Sequence, residues 1–141
     1  MAIKVFLDTN IVIDFFEPFR PEHQWAVSVF SKIENNGIDA YLSESVLNTS
    51  AYILRKQYST ASLRELLSHM LSFTKIIACN NDFYIRSLNL PGTDIEDAVL
   101  YQLALEKRLD FFITSNKKDF NRFSSPLLPI LNARELIKLT K

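Results

Sequence analysis

The order of short β-prone runs and longer amphipathic stretches predicts an α/β fold: three layers, a mostly parallel sheet of four to five strands, and helices on both faces. Three observations carry this. The apolar run Ile3–Leu7, interrupted by Lys4 alone, stops at Asp8-Thr9-Asn10, the pattern of a short strand buried on both faces. Comparable runs recur at 38–42, 76–78 and 111–114, with helical periods between them. Only 2 Gly and 5 Pro occur in 141 residues, so little of the chain is barred from regular structure.

The elements follow in order. Asp8, Thr9 and Asn10 are all good helix caps, and a short helix through Ile13 and Phe16 follows until Pro18 and Pro21 break it. Pro21 suits the first turn of a second helix over 22–35, where Trp25, Val29, Phe30 and Ile33 recur at helical spacing. Asn36-Gly37 stops it, with the glycine expected in the left-handed position. After the strand at 38–42, Ser43 opens a third helix carrying Val46, Leu47, Ile53 and Leu54. Ser59 or Thr60 caps a fourth, running to about Phe73. The strand at 76–78 leads to a helix over 82–88 and a Pro91-Gly92 turn. Thr93 and Glu96 have the spacing of a capping box for a helix over 95–107. The strand at 111–114 comes next. A fifth strand at 127–131, flanked by Pro126 and Pro129, is placed at the sheet edge. A helix over Ala133–Leu139 closes the chain. No repeat, low-complexity segment or linker interrupts this order, so residues 1–141 are read as one domain.

Composition excludes several classes. Hydrophobic residues make up 48% of the chain, which argues against disorder. Basic and acidic residues balance at 16 each, so affinity for nucleic acid by net charge is not expected; a local basic patch or bound metal must supply it. One cysteine, Cys79, allows no internal disulfide and no cysteine-based zinc site; it reads as a buried apolar-like residue. The apolar start is too short for a signal peptide, and no run approaches the ~18 residues of a membrane span. A cytoplasmic location is the expectation. Two glycines build neither a dinucleotide-binding loop nor a phosphate-binding P-loop. His23 and His69 lack a placed nucleophile and read as surface helix residues.

The acids are distributed with a pattern. In parallel α/β sheets, ligands bind outside the carboxyl ends of the strands. Asp8 follows the first strand, Ser43 and Glu44 the second, and Ser115, Asn116 and Asp119 the fourth. Asp94 and Asp97 open the preceding helix. Mg²⁺ and Mn²⁺ take such oxygen ligands, usually one or two carboxylates plus water and substrate phosphate. They supply the activated water and charge neutralisation that phosphodiester hydrolysis needs. Each residue also has a plain structural use. Asp8 and Asp94 are caps, Glu96 serves the capping box, Asp97 suits a first helical turn, and Asn116 and Asp119 suit a short helix. An aspartyl phosphotransferase is a third reading of Asp8, but its D-x-D pattern is broken by Asn10.

The segments VFLDTNIVIDFF, LSESVLNTSAYILRK, DIEDAVLYQLAL and FITSNKKDF resemble, in order, the motifs of PIN domains, the fold of VapC-like toxin ribonucleases. The resemblance runs nearly end to end. It implies a metal-dependent endoribonuclease, the toxin of a toxin–antitoxin pair, that takes Mg²⁺ or Mn²⁺, cuts RNA, is covered by a small antitoxin protein and forms a homodimer. It places Asp8 and Asp97 as metal-binding acids, Asp94 as a neighbour, Asn116 at the fourth motif position and Asp119 close after. Thr49, with Asn48 beside it, stands where the family usually has Glu, and Glu44 falls too early to replace it. The alternative is therefore a catalytically weak or inactive module of the same fold that binds RNA or a partner protein. Lys117, Lys118 and Arg122 form a basic group beside the expected site, and Arg55 with Lys56 forms another. Trp25, Phe19, Phe73 and Phe83 are candidates for an interface or for core.

Overall fold

The computed structural model describes residues 2–91 and 94–141. Its strands are β1 (Ile3–Leu7), β2 (Ile38–Ser43), β3 (Thr74–Ile77), β4 (Phe111–Ile113) and β5 (Ile130–Leu131). Its helices are α1 (Thr9–Phe16), α2 (His23–Glu34), α3 (Glu44–Leu54), α4 (Thr60–Leu71), α5 (Asn81–Ser87), α6 (Ile95–Glu106) and α7 (Ala133–Leu139), and Lys117–Phe120 adds one 3₁₀ turn. The five strands lie in the order β3-β2-β1-β4-β5, every pair parallel. The first strand thus becomes the centre of the sheet, and the chain crosses from one side of β1 to the other between β3 and β4. Such a switch point opens a crevice at the carboxyl ends of the two central strands.

Both faces of the sheet are covered. Successive strand residues point to opposite faces, and Val5, Phe6 and Leu7 are all fully buried. On the Phe6 side, Phe6 stacks on Phe112 of β4 with ring centroids 5.3 Å apart. Tyr101 of α6 and Phe120 pack on Phe112 in turn, at 5.4 and 4.7 Å. Tyr101 is also held by its polar end. Its hydroxyl donates to the Leu128 carbonyl at 2.6 Å and accepts from the Ser125 amide at 2.8 Å, tying down the loop before β5. Elsewhere α1 packs on α2 and α3, and α2 on α7.

Several local features differ from expectation. Asn36, not Gly37, takes the left-handed conformation at the end of α2, with φ 64°. The Asn36 amide bonds to Ile33 O and the Gly37 amide to Lys32 O at 2.8 Å, the paired bonds of a Schellman cap. Asparagine tolerates that conformation, and glycine is useful one residue later, where an added Cβ would stand 3.3 Å from the Lys32 carbonyl. Strand β3 begins two residues before the predicted 76–78. Its register aligns Thr74 with Ala40, and buried Thr74 bonds to Met70 O at the end of α4. Strand β5 keeps the expected edge position but shrinks to two residues after Pro129. Asp94 caps α6, its carboxylate accepting the Asp97 amide at 2.9 Å. The predicted pairing of Thr93 with Glu96, like the turn at Gly92, falls outside the described residues. Phe83 is buried core, whereas Phe19 is 70% exposed; Cys79 is half-buried. Among the described residues no helix is long and apolar enough to cross a membrane.

Candidate functional site

The carboxyl ends of β1 and β4 lie side by side, and one hydrogen-bond chain joins them. The Asp8 amide bonds to the Ile113 carbonyl at 3.0 Å, which extends the β1–β4 ladder by one rung. Asp8 also caps α1, its Oδ1 accepting the Thr9 amide at 2.8 Å. The other oxygen, Oδ2, accepts from the Thr114 hydroxyl at 2.8 Å and from Asn10 Nδ2 at 3.3 Å. Thr114, fully buried, in turn accepts the Asn116 amide at 3.1 Å. Asn10 closes the ring, with Nδ2 near Thr114 Oγ1 at 3.2 Å and Oδ1 accepting the Ser115 amide at 3.0 Å. The aspartate at the end of the first strand and the turn after the fourth are therefore set as one unit.

A cleft of about 280 Å³ opens over this unit. Asp8, Thr9, Asn10 and Ile13 form one side of its lining, Asn116 and Asp119 come from the β4 turn, and Asp94, Glu96 and Asp97 come from the start of α6. The residues singled out in the sequence, Asp8, Asp94, Asp97, Asn116 and Asp119, thus share one cavity. Glu96 joins them in the lining. Thr49 and Glu44 are not part of the lining; α3 reaches the cleft through Ile53, one turn beyond Thr49. Lys117 is drawn away, to Glu135 at 2.9 Å.

Charge is unbalanced here. Five carboxylates line the cleft against one cation, Arg20, which is itself bound to Asp14 at 2.6 Å. The acids respond as close like charges must. Burial, then the charges of Asp8, Asp94, Asp119 and Glu96, pushes Asp97 up to about 7. Burial also raises Glu96, with Asp8 and Asp94 adding to it. Burial raises Asp8 as well, although the hydrogen bonds from Thr114, the Thr9 amide and Asn10 oppose it.

A hard divalent cation fits this donor set. Its ligands would all be oxygen, and its charge would relieve the repulsion that strains Asp97. No three acidic, histidine or cysteine side chains among the described residues stand close enough to enclose an ion by themselves. Two residues of the site are not among the candidates read from the sequence: Arg20 has no sequence signal, and Thr114 lies in the FITSNKKDF motif without its role being evident. Arg20 sits in an aperiodic loop, and the role of Thr114 depends on a bond to Asp8 spanning 106 positions.

Comparison with known proteins agrees with this architecture. The chain is 24% identical over 137 residues to "Ribonuclease VapC1" of Aquifex aeolicus, covering 94% of this chain and 92% of that protein. Among solved structures, a toxin–antitoxin complex from Klebsiella pneumoniae superposes with a TM-score of 0.64 at 24% identity, covering 92% of this chain and 97% of that one. VapBC2 from Rickettsia felis, bound to a DNA fragment from its promoter, gives a TM-score of 0.64 at 19% identity over 92% and 98% of the two chains. The PIN domain profile matches residues 4–118, from within β1 to the turn after β4, and the chain belongs to the PIN domain family.

Proposed function

We propose that this protein is a divalent-metal-dependent endoribonuclease, the toxin of a toxin–antitoxin pair. One observation carries the reading: carboxylates from β1, α6 and the β4 turn converge on one cleft with almost no cationic compensation. Asp8 and Asp97 would hold Mg²⁺ or Mn²⁺; the ion supplies charge neutralisation at the scissile phosphate and acidifies bound water. The side chain of Asn116, with that of Asp119, would complete the oxygen shell or orient the attacking water. Asp94 keeps the start of α6 in place through the Asp97 amide. Thr114 and Asn10 keep Asp8 from turning away, because both donate to its Oδ2. RNA as substrate and a small antitoxin partner belong to the same reading, supported by the names of the ribonuclease and toxin–antitoxin relatives; an antitoxin over the cleft and a homodimer are added as what the family resemblance implies. The test is cleavage of RNA by purified protein with and without Mn²⁺, repeated with Asp8→Asn and Asp97→Asn. Metal-dependent cleavage lost in both variants is expected; equal cleavage by all three proteins refutes the assignment.

A second reading is favoured by Thr49. With a hydroxyl where the family usually has a carboxylate, the chain is a PIN-fold module that binds RNA or a partner without turnover. Calorimetry with Mn²⁺ separates the two: absence of binding at millimolar metal supports the second.

A further inference from the structure

Arg20 is the cation of the cleft, and its surroundings decide what it does. It sits in the loop between α1 and α2. Its Nε donates to Asp14 Oδ1 at 2.6 Å and its Nη1 reaches Glu17 Oε1 at 3.5 Å. Both acids are buried, at 3% and 6% exposure. The loop itself is fastened: the Arg20 amide bonds to Glu17 O and the His23 amide to Arg20 O, each at 3.1 Å, while His23 Nδ1 lies 2.8 Å from Asp14 O. The guanidinium is thus held by two buried acids.

That grip is incomplete in a telling way. A guanidinium devoted to Asp14 would meet both carboxylate oxygens with two parallel bonds. Here Asp14 Oδ2 is buried with no hydrogen-bond partner. Nη2 bonds to nothing among the described residues, and the side chain remains 36% exposed on the cleft wall. An arginine beside so many carboxylates would ordinarily fold onto one of them. The prior claim of Asp14 and Glu17 prevents that and leaves Nη2 unpaired among the described residues, on a side chain that lines the cleft. The Nη1–Nη2 edge of the guanidinium, whose N–H donors Asp14 does not take, is suited to a phosphate oxygen pair.

We propose that Arg20 is a substrate-binding residue that grips a phosphate of the RNA backbone flanking the one to be cut, with Asp14 and Glu17 as its positioning residues. This rests on the nuclease reading of the same cleft. It explains how an acidic site admits a polyanion: one fixed cation, kept off the site's own acids, meets the strand as it enters.

The experiment measures binding of a labelled single-stranded RNA oligonucleotide by fluorescence anisotropy in Ca²⁺, the RNA being checked intact on a gel. Wild type is compared with Asp14→Asn/Arg20→Gln, in which no orphaned Asp14 charge is buried. The double variant is expected to bind about 10-fold or more weakly, with a slope of log K on log salt shallower by about one. Mn²⁺ affinity by calorimetry should be equal in the two. In cleavage assays the double variant should raise KM while kcat stays within about threefold. Equal RNA affinity and equal slope overturn the proposal, as does loss of Mn²⁺ binding in the double variant alone. If the double variant melts early, Arg20→Lys carries the comparison. It keeps the charge but lacks the fork, so affinity should fall several-fold, and unchanged affinity overturns the proposal. Arg20-dependent RNA binding by a wild type that cuts nothing upholds the gripping role and sinks the nuclease reading. Absence of RNA binding by the wild type sinks both.

Discussion

Replacing Asp97 with asparagine should make the metal-free protein more stable, and the gain should depend on pH. Asp97 is pushed from its ordinary 3.8 up to about 7, by burial first and by Asp8, Asp94, Asp119 and Glu96 next. A carboxyl raised in this way binds its proton more tightly folded than unfolded. Its contribution is therefore fully present below about pH 4 and is lost as pH rises toward 7, beyond which the folded protein carries the whole penalty. The displacement corresponds to at most about 4 kcal/mol at roughly 1.4 kcal/mol per pH unit. Asp97 is only half-buried, and solvent screening brings this to ~2 kcal/mol. The side chain of Asp97 makes no hydrogen bond among the described residues, so asparagine loses no partner there, while the backbone bond to Asp94 stays. Thermal melts at pH 4 and pH 8, in chelator, should show the Tm of Asp97→Asn gaining on wild type by about 6 °C over that range, at roughly 3 °C per kcal/mol for a chain of this size. Mn²⁺ should narrow the gap at pH 8, since it stabilises the ionised cluster of the wild type. A gap that stays constant from pH 4 to pH 8 would refute the claim that Asp97 is strained by its neighbours.

Three further substitutions probe the bonds and packing around the cleft. Thr114→Val removes the donor to Asp8 Oδ2 and the acceptor of the Asn116 amide; RNA cleavage should fall by about 10-fold or more, consistent with ~1.5–3 kcal/mol for a hydrogen bond to a charged group. Unchanged rates in a variant of native circular dichroism would show the bond to be idle. Thr49→Glu supplies the acid that the family pattern carries, and isothermal titration should show Mn²⁺ binding tightened by about 10-fold. Phe112→Ala empties the space between Phe6, Tyr101 and Phe120 and should cost ~3–5 kcal/mol by urea denaturation.

Much of this is readable from residues alone, for identifiable reasons. Strand β1 announces itself because a centre strand of a parallel sheet is apolar on both faces. Asp8, Asp94, Asp97 and Asn116 stand out because strand ends and helix starts are where the period breaks. The start of β3 is hidden because its alternation is blurred: Lys75 and Ile76 are both exposed while Thr74 is buried against α4. Glu96 reads as part of a cap, and its spacing does not tell that its side chain also lines the cleft. Arg20 is invisible for a deeper reason. Its orientation comes from buried acids within a loop, and no periodicity records what a loop residue faces.

The bond from Thr114 to Asp8 spans nearly the length of the chain, and this has a consequence for synthesis. Asp8 leaves the ribosome first, and its hydrogen-bond partner and the neighbouring Asn116 emerge more than a hundred residues later. At ~5–20 residues per second, that interval is roughly 5–20 seconds. Throughout it β1 lacks its β4 neighbour, Asp8 lacks its orienting hydroxyl, and the cleft has neither its β4 wall nor, for most of that time, its α6 wall. A growing chain built this way has no assembled cleft until Thr114 and Asn116 have followed Asp8 out of the ribosome.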